Sequence, residues 1–153
     1  STTISSSFFG HQPAYFRCGG KDFSAERYLA FSDVTTYSEA TDTDATRQVL
    51  IAPFDGYVHS LVARSSNAMG STQVRIDKTP VGNSNRPSDY GDFDPIVTEG
   101  WMAAAQTPVT FKFGRTNVRN FSKGEMLSVN FNPTNDVGTL ECTLVLMCNV
   151  EEV

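Results

Sequence analysis

In Leu140-Glu141-Cys142-Thr143-Leu144-Val145-Leu146-Met147-Cys148, the residues Leu140, Cys142, Leu144, Leu146 and Cys148 recur at every second position. Successive side chains of a strand point to opposite faces, so a period of two predicts a strand with one face turned to a core. Two shorter runs precede it. Leu127, Val129 and Phe131 alternate with Ser128, Asn130 and Asn132, and Val109, Phe111 and Phe113 alternate with Thr110 and Lys112. The connections Phe121-Ser122-Lys123-Gly124-Glu125 and Asn132-Pro133-Thr134-Asn135-Asp136-Val137-Gly138 are rich in turn formers.

The same alternation extends toward the N-terminus. Val74 and Ile76 face one way and Arg75 and Asp77 the other, and residues 57–64 form another run. Residues 48–52 lead into Pro53-Phe54-Asp55-Gly56, a turn with Pro ahead of Asp-Gly. Tyr28, Ala30 and Ser32 alternate with Leu29 and Phe31. Pro80, Gly82, Pro87, Gly91 and Pro95 exclude regular structure over residues 80–95, and Glu99-Gly100-Trp101-Met102-Ala103-Ala104-Ala105 is expected to form one or two helical turns. The sum is an all-β chain: one antiparallel β-sandwich, jelly-roll-like, of about eight strands. No predicted helix is long enough for a βαβ crossover, which excludes a parallel α/β sheet.

Residues 1–24 differ from the sandwich domain expected over 25–153. Ser1 to Ser7 is almost wholly Ser and Thr, the aromatics Phe8, Phe9, Tyr15 and Phe16 follow no period, and Cys18-Gly19-Gly20 closes the stretch. So many aromatics are poorly suited to float in water, so an extended arm is expected to lie on its own domain or on a neighbouring subunit. Trp101, Met102 and the three alanines after them form a second apolar cluster. It reads either as a plug for one end of the sandwich or as a subunit contact, since aromatics and Met are enriched in interface cores. Phe8, Phe9, Tyr15, Phe16, Trp101 and Met102 are therefore the candidate interface residues.

A chain of 153 residues can bury about 68–70% of its unfolded surface as one domain, so the core requires no disulfide or metal. The net charge of -5 and the scatter of the 12 basic residues argue against nucleic acid or an anionic membrane as partner. No stretch is apolar enough to span a bilayer as a helix. The start on Ser, with no basic region leading into an apolar one, reads as a mature protein made in a reducing compartment. The three cysteines agree with that. Cys142 and Cys148 lie roughly 20 Å apart along one strand and cannot bridge, because a disulfide needs Cα atoms within about 7 Å. Both read as small core residues, which leaves Cys18 as the candidate reactive thiol.

Other chemistry is sparse. Asp89, Asp92 and Asp94 could offer oxygens to a hard cation but lack the EF-hand spacing, and a solvated acidic loop is the favoured reading. His11 and His59 have no paired zinc-ligand spacing, and His59 is expected at a sheet edge or interface. No nucleophile elbow or phosphate loop is present, and pairing carboxylates from Glu39, Asp42, Asp44, Asp55 and Glu99 would be arbitrary. No catalytic residue, cofactor or metal is assigned.

Two stretches carry a family likeness. Ile51-Ala52-Pro53-Phe54-Asp55-Gly56-Tyr57-Val58, with Leu61 to Arg64 and Asn67 to Gln73 behind it, resembles the first half of small β-sandwich proteins of tailed-phage particles. Phe121-Ser122-Lys123-Gly124-Glu125-Met126-Leu127-Ser128-Val129, a polar loop and a final apolar strand resemble the ending of the same proteins, and also the trimeric jelly rolls of the tumour-necrosis-factor and C1q type. The likeness covers residues 48–149. It implies a non-enzymatic virion component made in the host cytoplasm and carried on the capsid surface. A head decoration or cement protein is expected, self-associating as a trimer and docking on the major capsid protein or another virion protein. The alternative is a receptor- or glycan-binding knob of a tail fibre, reading its target with the 80–100 loop and Trp101.

Overall fold

The alternating runs become strands because each can bury one side chain in two while its backbone groups pair with a neighbour. The computed structural model describes residues 10–31, 39–41, 48–87, 96–114 and 120–149. Among them are ten strands: β1 (His11–Lys21), β2 (Arg27–Tyr28), β3 (Leu50–Ile51), β4 (Gly56–Ser65), β5 (Gly70–Thr79), β6 (Ile96–Met102), β7 (Val109–Lys112), β8 (Asn120–Phe121), β9 (Met126–Asn132) and β10 (Thr139–Asn149). They form two five-stranded antiparallel sheets. Sheet A has the order β1-β10-β4-β7, with β8 also on β4; sheet B has the order β2-β9-β5-β6, with β3 also on β9. The chain crosses between sheets from β1 to β2, β3 to β4, β4 to β5, β6 to β7, β8 to β9 and β9 to β10, the interleaving of a jelly-roll-like sandwich.

The core lies between the layers. Leu61, Phe111, Leu140, Leu144 and Leu146 of sheet A meet Val74, Ile76, Leu127, Val129 and Phe131 of sheet B, all at most 1% exposed. Each such side chain contributes about 1.5–3 kcal/mol by leaving water. Phe131 sits at the centre, edge-on to Phe111 at 6.2 Å and to Phe23 at 6.3 Å between ring centroids. The Phe111 ring also explains Gly100, where any Cβ would run into it.

Of the arm expected over residues 1–24, on its own domain or on a neighbouring subunit, residues 11–21 lie on their own domain: β1 is a full strand of sheet A, in register with β10 from His11 opposite Asn149 to Lys21 opposite Thr139. Gly19 and Ala30 then exchange two backbone hydrogen bonds of 3.0 Å, tying the end of β1 to the chain beyond β2. Residues 1–9 lie outside the described residues. The helical turn expected over residues 99–105 is instead the end of β6 and a tight turn. β6 pairs with β5 from Ile96 to Met102, so its backbone groups serve the ladder instead of a helix, and Gln106 turns the chain at φ 58° with its N–H on the Ser65 carbonyl. The strand expected around Tyr28 shrinks to two residues on β9.

The turns Pro53-Phe54-Asp55-Gly56 and Ser122-Lys123-Gly124-Glu125 meet in space. Ala52 donates to the Glu125 carbonyl and Gly124 to the Ala52 carbonyl, each at 2.8 Å, while Asp55 Oδ1 accepts the Lys123 N–H at 2.8 Å. One corner of the sandwich is thereby clamped by two turns.

Candidate functional site

Strand parity sets what the outer face of sheet A shows. With Leu140, Cys142, Leu144 and Leu146 turned inward, β10 presents Glu141, Thr143, Val145 and Met147 outward. Register lays them in rows across the sheet: Pro13, Met147, Tyr57 and Asn120; Tyr15, Val145, Ser60 and Lys112; Arg17, Thr143, Val62 and Thr110. Pro13, Tyr15, Tyr57, Val62, Val145 and Met147 thus form one apolar patch over the middle of the sheet. An antiparallel sheet with one wet face would carry polar residues there. Here the half of β10 that carries Val145 and Met147 is apolar on both sides, and Tyr15 exposes 66% of its surface. His11 packs edge-on against Tyr57, with centroids 4.8 Å apart. Toward the other end of the face, Arg17, Arg64 and Glu141 stand with Val62, Pro108 and Thr143 around a depression of about 280 Å³.

The outer face of sheet B is polar at its middle and exposes Ile51, Val97 and Trp101 on its flanking strands β3 and β6. Its middle holds a network around Arg75, whose Nε and Nη2 donate to Asp77 Oδ1 and Oδ2 at 3.0 and 3.1 Å. Arg75 Nη2 also donates to the Tyr28 hydroxyl at 2.9 Å and lies 3.5 Å from Glu26 Oε1, which accepts from Asn130 Nδ2 at 2.9 Å. Burial opposes the charge on Arg75, but hydrogen bonding and attraction to Asp77 outweigh it, so its pKa stands above the ordinary value. Burial and then the Asp77 charge raise Tyr28 against the pull of Arg75, which keeps the phenol protonated to donate to Asp77 Oδ2 at 3.2 Å. Beside this network, at the β6 edge, Ser71, Gln73, Glu99, Asn132, Pro133 and Thr134 line a second depression of about 360 Å³. Trp101 stands next to it, opposite Ser71 in register and 66% exposed.

The candidate interface residues separate by parity. Tyr15 and Trp101 are exposed, on opposite sheets. Phe16 faces inward and packs half-buried on the core, and Met102 is fully buried. Both are core residues, because one step along a strand reverses the face. Phe8, Phe9 and the aspartates of the 89–94 loop lie outside the described residues. Cys18 is fully buried opposite Cys142, so it is no accessible thiol. All three cysteines are free, with Cys148 only half-buried. His59 is exposed at a bulge of β4, an interior strand of sheet A, so it does not lie at an edge; its Nδ1 lies 2.8 Å from Ser60 Oγ. Among the described residues no three His, Cys, Asp or Glu side chains group to hold a metal ion.

Two features escaped the sequence reading. Val145 and Met147, standing between inward leucines, already signal a strand apolar on both sides. The alternation places Arg75 and Asp77 on one face, but the links from Tyr28 to Asp77 and from Glu26 to Asn130 span 49 and 104 positions, and the groove beside Trp101 is assembled by strand pairing, so no local pattern announces them.

No family model matches the chain, and no curated protein matches it in sequence. Among solved structures it aligns over 93% of its length with a family two carbohydrate esterase from Cellvibrio japonicus, at 14% identity and a TM-score of 0.34. The chain spans 37% of the length of that protein, and at this similarity the match informs no functional argument.

Proposed function

We propose that the chain is a non-enzymatic virion structural protein, a capsid decoration or cement protein that stabilises a phage head and works as a homo-oligomer, in the expected form a trimer. The observation that carries the reading is the apolar outer face of sheet A. A patch running over β1, β10 and β4 is the kind of surface that a second subunit removes from water. The likeness of residues 48–149 to tailed-phage sandwich proteins adds the setting. The mechanism is mass action: a ligand that binds the assembled shell alone stabilises it by about 2.7 kcal/mol at a hundred times its Kd.

The test has two stages. Sedimentation of the purified chain is expected to give an oligomer mass, and Val145→Lys with Met147→Lys is expected to give a folded monomer. A wild-type chain that stays monomeric at high micromolar concentration overturns the self-association. Imaging of an intact particle then reads location and copy number. Hundreds of copies on the head support the decoration role, whereas a few dozen at the tail assign the chain to a fibre knob.

A further inference from the structure

Trp101 is the sole tryptophan of the chain, and it spends its ring on solvent. It does so from a strand, not a loop: β6 is hydrogen-bonded to β5 along its length, with Met102 anchoring the next position in the core. The ring's Cη2 reaches to the Gly70 end of β5, at ordinary contact distance. Two residues along the same face of β6 comes Glu99. Register continues the line through Gln73 of β5 to Asn132 of β9, so a carboxylate and two amides stand side by side across three strands. Gln73 Nε2 is 3.5 Å from Glu99 Oε1, a contact loose enough to yield to a ligand. At about 4.8 Å per strand the row runs roughly 10 Å, the length of two linked sugar rings. Ser71 and Thr134 close the groove, with the Thr134 hydroxyl donating to the Ser71 carbonyl.

From this juxtaposition we infer that the groove between β5, β6 and the end of β9 is a binding site for a neutral oligosaccharide. A pyranose offers a face of C–H bonds and an edge of hydroxyls. The face suits the electron-rich surface of an indole ring. The edge suits a row that both accepts, at Glu99 and the amide oxygens, and donates, at the amide nitrogens. The volume of about 360 Å³ lies in the range of small-ligand sites. Charge selects the class. Glu99 and a net charge of -5 repel anionic sugars and nucleic acid, and the nearby Arg75 is already engaged by Asp77 and Glu26. The site lies on the sheet opposite the proposed subunit contact and does not depend on the decoration reading.

A sole tryptophan makes the test direct, because emission from the full-length chain reports this site alone. Cellohexaose, maltohexaose, mannohexaose and chitohexaose are titrated separately. At least one is expected to give a saturable blue shift, confirmed by calorimetry. Trp101→Ala is expected to weaken that calorimetric binding roughly tenfold or more, about 1.4 kcal/mol, with its melting temperature unchanged. Glu99→Gln and Asn132→Ala each weaken binding with the fold intact, and Lys123→Ala, on a distant turn, leaves it as it was. No saturable shift with any of the four sugars overturns the site. Binding that survives Trp101→Ala, or both Glu99→Gln and Asn132→Ala, overturns it equally.

Discussion

Cys142 shows how one buried side chain ties stability to pH. Gly19 turns its N–H and C=O toward Ala30, away from β10, so the preceding residue, Cys18, turns its own toward β10. Cys18 and Cys142 are therefore a hydrogen-bonded cross-strand pair with Cα atoms about 5.5 Å apart, and both thiols lie inside the sandwich. Burial, with the neighbouring Cys18 next, pushes the Cys142 thiol well above the ordinary value near 9.0. The folded state thus keeps a proton that the unfolded chain gives up. Stability from this group is complete below pH 9 and drains as pH rises, by about 1.4 kcal/mol per pH unit while the two states differ. Tyr28, also raised, adds a loss of the same sign above pH 10. Lys78 works the other way: burial lowers it, so its contribution grows as pH rises through the window below 10.5. Denaturant unfolding from pH 8 to pH 10.5 is expected to show falling stability in the wild type and a visibly shallower fall in Cys142→Ala. Equal slopes in the two proteins would assign the alkaline loss elsewhere.

The strand β1 is where element-level reasoning has the most consequence. It contributes Cys18 and Phe16 to the inner face and Tyr15 and Pro13 to the outer one, and it covers the long edge of β10. Deleting residues 1–20 therefore removes a structural strand, uncovering a ladder partner for ten residues of β10 and opening the flank of Leu140 and Leu144. The truncated chain is expected to lose its cooperative melting transition and its soluble yield; a truncation that melts like the full-length chain would show β1 to be dispensable. This strand was illegible in the sequence for physical reasons. Pro13 and the Gly19–Gly20 pair are poor strand formers, and the aromatics between them serve both faces, so no period emerges. By contrast β5, β9 and most of β4 and β10 have one clear inward parity and were readable. β6 was mistaken because an alanine run reads as helix, whereas pairing with β5 sets the backbone through Met102. The groove beside Trp101 follows the same logic. Its aromatic stood out in the sequence, but Gln73 and Asn132 arrive only through β5 pairing with β6 and β9, a long-range outcome that no local window contains.

For the molecule as a whole, the two outer faces divide the work. Sheet B meets water with charges and amides at its middle, and with Trp101, Val97 and Ile51 on the flanking strands. Sheet A meets it with Tyr15, Tyr57, Val62, Val145 and Met147, a surface that a free monomer would leave wet. If a second copy covers that patch, association stabilises the folded chain alone, since the unfolded chain has no such surface to offer. The melting temperature must then depend on protein concentration, rising as the oligomer fills and levelling once it is complete. Calorimetry of the wild type over a hundredfold range of concentration is expected to show that rise, and Val145→Lys with Met147→Lys to abolish it by introducing two charges where the partner would desolvate them. The same variant should melt like the wild type at the lowest concentration, because positions 145 and 147 face away from the core. A transition independent of concentration in the wild type would mean that sheet A keeps its apolar face for a different protein, and the search for that protein would begin at the same five residues.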